Sequence, residues 1–224
     1  MTVLQSSAET WDAIYQSGRD VRTWPSEDVI RFCARRLTPG MRVLDAGCGN
    51  GANLWFLMQQ RFDAVGVDAS QVACEAAQQL VRKRGQQSAV TLVAPLGRLG
   101  TWPAPFDAII DCRASQHVPW TEHAAVYAEY YSLLKPGGWF FLLHLDQLTW
   151  PDAVQSSGKI DAWTWENIDV GVYPGNGVVC MPTRMALRKV IRGAGFEVAR
   201  EESLHRRTGG TVCSHLAFDA QKVG

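Results

Sequence analysis

The stretch VLDAGCGNGANLWFL, residues 43–57, constrains this chain more than any other. An apolar run leads into three alternating glycines, Gly47, Gly49 and Gly51, and an amphipathic segment follows them. Glycine accepts a sharp backbone turn and lets a ligand approach the main chain closely. A helix that starts there presents free N–H groups and the positive end of its dipole. Strand, tight turn and helix in that order belong to an α/β architecture.

The chain around this loop keeps the alternation. Short apolar runs (MRVLDAG, DAVGVD, VTLVA, FDAIIDC, GWFFLLHL) are separated by amphipathic stretches at 52–60, 70–84 and 121–134. Apolar runs without strict alternation predict strands covered on both faces, as in a parallel sheet with right-handed crossovers. Before the loop, residues 9–16 and a second segment starting at Ser26, with Val29, Phe32, Cys33 and Leu37 on one face, predict a helical cap over residues 1–40. Residues 146–181 are rich in Trp, Gly, Pro and Asp without a sustained period, which reads as a lid or substrate loop. A helix at 183–194 follows. The runs FEVAREESL and TVCSHLAFDA then flank HRRTGG, which predicts a terminal antiparallel hairpin. A single domain over 1–224 accounts for these parts.

Lys and Arg total 22, as do Asp and Glu, so the formal net charge is zero. That balance speaks against a broad surface for nucleic acid or anionic membrane. No apolar run is long enough to span a bilayer, no secretory leader is visible, and the six cysteines are scattered. The expectation is a cytoplasmic protein with reduced thiols.

Asp68 closes the run after the loop, where a carboxylate can accept hydrogen bonds from two ribose hydroxyls. With the glycine loop it points to an adenosine-containing ligand. The spacing is GxGxG and not GxGxxG, and Asp45 stands two residues before the first glycine. A carboxylate there repels a pyrophosphate and suits an amino group, which favours an amino-acid-bearing nucleoside over a dinucleotide.

These residues carry a resemblance. LDAGCGNG, GVDAS, FDAIIDCRASQHV and LLKPGGWFFLL together resemble the motifs of class I S-adenosylmethionine-dependent methyltransferases, over roughly residues 8–220. The resemblance implies a Rossmann-like, doubly wound α/β fold: a seven-stranded, mostly parallel sheet, order 3-2-1-4-5-7-6, with the last strand antiparallel. It also implies S-adenosyl-L-methionine as cofactor and S-adenosyl-L-homocysteine as product. On it, Asp45, Gly47, Cys48, Gly49, Asn50, Gly51, Asp68, Ala69, Leu96, Cys112 and Arg113 are cofactor-binding candidates. The family commonly has an acid after strand three for the adenine amino group. Ala94, Pro95 and Leu96 stand there instead, so backbone and apolar contacts must hold the base. WDAIYQSG is similar to the N-terminal aromatic segment of thiopurine-type and halide-type small-molecule methyltransferases, which adds Trp11, Tyr15 and Trp24.

Ligands bind beyond the carboxyl ends of parallel strands, where His117 and His144 fall. A histidine of ordinary pKa, about 6.5, could deprotonate a hydroxyl acceptor, and His144 at the end of strand five is the first candidate. Asp146 reads mainly as a loop-start cap. Trp150, Trp163, Trp165 and Tyr173 are candidates to clamp a flat or apolar substrate. No Cys/His/Asp spacing makes a recognisable metal-ligand set, so none is expected. The expected reaction is methyl transfer to an oxygen or nitrogen of a small molecule. The alternatives are a cofactor-binding scaffold without turnover, or an RNA methyltransferase using Arg31, Arg35, Arg36, Arg206 and Arg207. CRASQH in place of a Pro-Pro-aromatic motif disfavours base-amino methylation.

Overall fold

The apolar run ahead of the glycine loop is a central strand, as its lack of alternation requires. In the computed structural model, which describes residues 3–87, 89–149, 158–169, 173–208 and 211–224, β1 (Arg42–Ala46) pairs in parallel with β2 (Asp63–Asp68) on one side. On its other side it pairs in parallel with β4 (Phe106–Cys112). β3 (Val90–Val93) adds to β2, and β5 (Leu134–Leu145) adds to β4, both parallel. A second set, β6 (Gly158–Lys159), β7 (Thr164–Glu166) and β8 (Val179–Cys180), forms a small antiparallel sheet. The chain closes with β9 (Phe196–Thr208) and β10 (Thr211–Lys222), and β10 runs antiparallel to β5. The main sheet is ordered β3-β2-β1-β4-β5-β10-β9, the class I methyltransferase topology.

Strand parity divides the core into two layers. Leu44, Val65, Ile109, Phe140 and Leu142 pack under α5 (His123–Leu133) and α6 (Arg184–Gly193). Val43, Ala64, Ala108, Ile110, Phe141 and Leu143 pack under α2 (Glu27–Arg36), α3 (Ala52–Gln59) and α4 (Gln71–Lys83). α2 buries Val29, Phe32 and Cys33, the face expected from sequence. α4 is capped by Ser70, whose hydroxyl accepts from the Ala73 N–H at 3.0 Å. Thr183 caps α6 in the same way through the Ala186 N–H.

Three expectations change. Residues 146–181 are not wholly irregular: β6, β7 and β8 lie within them, over a small apolar core of Leu145, Trp165, Ile168, Val179 and Met181. The proposed connection HRRTGG is shorter than read, because its first four residues continue β9. VTLVA is an edge strand with Val90 62% exposed, not a strand covered on both faces; only β2 pairs with it. All six cysteines are free thiols. No described helix is long and apolar enough to cross a membrane.

Candidate active site

The cleft opens over the carboxyl ends of β1, β2 and β4. The Gly47 and Gly49 amides leave the sheet here, with φ of +71° and +54°. Gly47 and Cys48 donate their N–H groups to the Val67 carbonyl, fastening the loop to β2. A side chain has no room at either glycine. A Cβ at Gly47 would collide with Ala114, and one at Gly49 would lie 2.6 Å from the Tyr15 hydroxyl. Gly51 serves differently. At φ +85° it starts α3 against α4, its would-be Cβ meeting Ala77 at 2.7 Å, and it does not line the cleft.

The Asp68 carboxylate is held by the Gly49 and Ser70 N–H groups, each at 2.9 Å, and lines the cleft beside Ala69. Burial raises its pKa above the usual range, while the two N–H bonds oppose that shift. Asp45 lies below the loop, 1% exposed, and no hydrogen bond of good geometry reaches either carboxylate oxygen. Burial first, then the like charges of Asp68 and Asp111, push its pKa to about 7, while the Arg22 charge and the Leu54 N–H oppose that rise.

An N-terminal layer is stitched across this end. Asp12, in α1 (Val3–Gln16), accepts from the Ser70 hydroxyl at 2.5 Å. Asn50 grips the Arg22 backbone twice, its amide donating to the carbonyl at 2.7 Å and its oxygen accepting from the N–H at 3.2 Å. Asn53 accepts from the Ser26 N–H at 2.9 Å. Trp11, Tyr15, Asp20 and Arg22 thereby line the cleft, with Pro95 and Leu96 on the β3 side. The side after β4 supplies Cys112, Arg113, Ala114, Gln116, His117 and Val118. Arg113 adopts φ +70°, its buried Nε has no partner, and among the described residues it forms no ion pair with Asp45 or Asp111. Asp111 instead accepts from the Ala114 and Ser115 N–H groups and the Tyr130 hydroxyl.

His117 forms an aromatic wall with Trp11 and Tyr173, with ring centroids 4.7 and 5.8 Å away. Its Nδ1–H donates to the Val178 carbonyl at 2.9 Å, and the Gln116 amide donates to its Nε2 at 3.1 Å. Burial lowers its pKa to about 4, so the ring is neutral at physiological pH.

Several sequence candidates lie elsewhere. His144 is fully buried and does not line the cleft. It shares parity with Phe140 and Leu142, which aims it into the α5 layer against His123 at 3.1 Å. It is therefore corrected as the leading base. Trp24 is also outside the cleft, 69% exposed, packing on Trp55 with Arg84 over both rings. Trp163 and Trp165 line a separate hollow with Lys159 and Met181, so of the aromatics named as a substrate clamp Tyr173 alone reaches the cleft among the described residues. Trp150 lies outside the described residues. Asp146 caps its turn through the Leu148 N–H, as read. The arginine patch is largely neutralised: Arg35 and Arg36 both pair with the buried Asp219, and Arg31 pairs with Glu27.

Asp20, Arg22, Ala52, Asn53, Pro95, Ala114, Gln116 and Val118 were missed as site residues. Ala52 and Asn53 lie within the glycine-loop motif, Ala114, Gln116 and Val118 within the motif after β4, and Pro95 just after β3; Asp20 and Arg22 carried no signal. The fold also gathers His123, His144 and Cys180, distant in sequence, so that their ligand atoms lie within 4.8 Å of one another.

This donor set fits S-adenosylmethionine. Asp68 lines the cleft and suits a ribose, and Pro95 and Leu96 line it with apolar surface suited to a base, whereas Asp45 is not among the lining residues and lies beneath the loop. Residues 43–138 match a family model described as a methyltransferase domain. That match spans β1 to the start of β5, under half of the chain, and over it the chain is similar to a methyltransferase domain. It is 27% identical over 172 residues to a sterol 24-C-methyltransferase of Candida albicans, covering 75% of this chain and 43% of that protein. It is 31% identical over 108 residues to a ubiquinone biosynthesis O-methyltransferase of Thiobacillus denitrificans, covering 48% of this chain and 46% of the relative. The chain thus spans under half the length of the curated relatives it matches. A similar solved structure is the 1,6-didemethyltoxoflavin-N1-methyltransferase of Burkholderia thailandensis, with bound 1,6-didemethyltoxoflavin and S-adenosylhomocysteine. Its TM-score is 0.72 at 18% identity, covering 100% of this chain and 92% of that one.

Proposed function

We propose that this chain moves the methyl group of S-adenosylmethionine to a nitrogen or oxygen of a small molecule that enters between His117, Tyr173 and the β4 end. The observation that carries the reading is the cleft formed by the Gly47–Gly49 turn, where a Cβ at Gly47 would collide with Ala114, and by Asp68, which the Gly49 and Ser70 N–H groups hold at the end of β2. The cofactor supplies an electrophilic methyl on a sulfonium, which an acceptor lone pair takes by in-line displacement. What the chain must add is alignment and exclusion of water. Asp68 would accept from the ribose hydroxyls while keeping its bonds to Gly49 and Ser70. Asp45, directly or through a water, would face the amino group, and the Trp11 and Tyr15 faces lie where a cation is favoured.

The state of His117 narrows the acceptor. Its Nε2 already accepts from Gln116 and its pKa is depressed, so it is a poor base for an alcohol. The site suits an acceptor that needs no strong base, such as a neutral amine or ring nitrogen, or a hydroxyl acidic enough to ionise in water. The near-zero net charge and the paired arginines favour a small molecule over RNA. Calorimetry with S-adenosylmethionine, followed by a panel of amine, phenol and carboxylate acceptors scored by S-adenosylhomocysteine formation, tests the reading. Tight binding without turnover on any acceptor would instead indicate a scaffold, and no binding would remove the cofactor assignment.

A further inference from the structure

Away from the cleft, two imidazoles meet in a way that neutral histidines cannot satisfy. His123, the first residue of α5, donates Nδ1–H to the Pro119 carbonyl at 3.1 Å. His144, near the end of β5, donates Nδ1–H to the Leu145 carbonyl at 2.7 Å. A carbonyl only accepts, so each bond fixes the proton on Nδ1 and leaves Nε2 a bare lone pair. The two Nε2 atoms face each other at 3.1 Å. Without a proton between them this is an opposition of lone pairs. A proton placed there would make an imidazolium in a site where both rings are 0% exposed. The third group is the Cys180 thiol in β8, also 0% exposed, with its sulfur within 4.8 Å of both nitrogens.

We propose that His123 Nε2, His144 Nε2 and Cys180 Sγ form a buried binding site for a thiophilic closed-shell cation, zinc(II) or copper(I). Metal–nitrogen bonds of about 2.0–2.1 Å bring two nitrogens at this spacing onto one ion at an angle of roughly 95–100°. The sulfur must draw in by about an ångström to complete its bond of about 2.3 Å. Two imidazoles and one thiol are the donors that such ions select over oxygen-seeking cations. Both Nδ1–H bonds to backbone carbonyls supply the outer support that orients ligating histidines. On binding, the thiol gives up its proton to solvent and the thiolate forms the third bond, while the imidazoles bind through existing lone pairs and release nothing.

Such an ion would staple α5, β5 and the small sheet together. Cys180 lies two residues from Val178, whose carbonyl holds His117 in the cleft wall, and it faces Thr164 in the register of β8 on β7. The site would therefore fix the cap relative to the acceptor side of the cleft without touching the acceptor.

The test is elemental analysis of untagged full chain, purified separately from zinc-supplemented and copper-supplemented cultures, with copper samples kept anaerobic. One ion per chain is expected in at least one arm, and the retained element distinguishes zinc from copper. X-ray absorption should show two nitrogen neighbours and one sulfur neighbour. Binding should fall at least tenfold in Cys180→Ser and His123→Gln, with circular dichroism checking that the variants fold. If they do not fold, the wild-type absorption spectrum and a Tm that drops on chelation and recovers on returning the ion decide the matter. Folded wild type that takes up neither ion from excess, or full retention of the ion in both folded variants, overturns the site.

Discussion

The carboxyl ends of the strands hold two dry regions that are electrically opposite. Around the glycine loop, the buried Asp45 and Asp111 and the half-buried Asp68 have raised pKa values. Beyond β4 and β5, His117 in the cleft wall and His123, His144 and His215 outside it are buried bases whose pKa values are lowered. Removal from water penalises the charged form in both sets. Partners separate them. Asp111 and Asp68 accept hydrogen bonds from two N–H groups each, whereas Asp45 has the Leu54 N–H and the Arg22 charge to offset its burial, so the acidic region suits a cation. The basic end is built to stay neutral, with His117, His123 and His144 pinned to carbonyls.

The strongest way to break this comparison is at the loop itself. Gly47→Ala forces a Cβ into Ala114 at positive φ, and we expect cofactor binding below detection by calorimetry; binding within tenfold of wild type would show that the cradle yields. Next is Asp68→Ala. It removes a charged acceptor for two hydroxyls, each such bond worth about 1.5–3 kcal/mol, so affinity should fall more than tenfold. Unchanged affinity would sink the ribose assignment.

Asp45→Asn sharpens the contrast through pH. The wild-type carboxyl is protonated below about 7, so affinity for a cationic cofactor should rise with pH through that value and level off above it. The variant should bind more weakly and show no such rise. Stability should move the other way. The folded acid binds its proton more tightly than the unfolded one, so its burial penalty appears as pH rises from about 4 to about 7. Asp45→Asn should therefore melt above wild type near pH 8, with the gap closing near pH 4. Melts that shift equally at both pH values would contradict a buried carboxylate of raised pKa.

At the basic end the effect is smaller. At saturating cofactor, turnover with the true acceptor should follow only the acceptor's own ionisation above about pH 6, because His117 titrates near 4. A further rise through about 6.5 that His117→Ala abolishes would restore a histidine of ordinary pKa to the mechanism. Trp24→Ala should leave affinity within about twofold, since its ring lies on Trp55 and Arg84 outside the cleft.

The acidic end was legible in the sequence because it is local. Loop glycines, Asp45 and Asp68 fall within two strand–turn–helix units whose geometry their spacing dictates. The basic end was not. His144 was correctly placed at the end of β5, yet which face it takes is set by parity with Phe140 and Leu142. The four aromatics of residues 146–181 were equivalent by composition; in the fold Trp165 lies within the small core and Tyr173 packs against that core while also lining the cleft. Asp20 and Arg22 enter because Asn50 holds a distant backbone, a contact without a sequence period. His123 and Cys180 stand 57 positions apart and meet only through the tertiary fold.

The stitches at Asp12–Ser70, Asn50–Arg22 and Asn53–Ser26 have a consequence for the order of events. They lie over the nucleoside end, whereas Tyr173 and the Val178 segment border the other mouth. We expect nucleoside release to require the Arg22 backbone to let go of Asn50, and acceptor exchange past Tyr173 to leave those bonds intact. The expected sequence is ordered, cofactor first on and spent cofactor last off. Product inhibition by S-adenosylhomocysteine should accordingly be competitive against S-adenosylmethionine and noncompetitive against the acceptor. Asn50→Ala should quicken its release more than it changes methyl transfer in a single turnover.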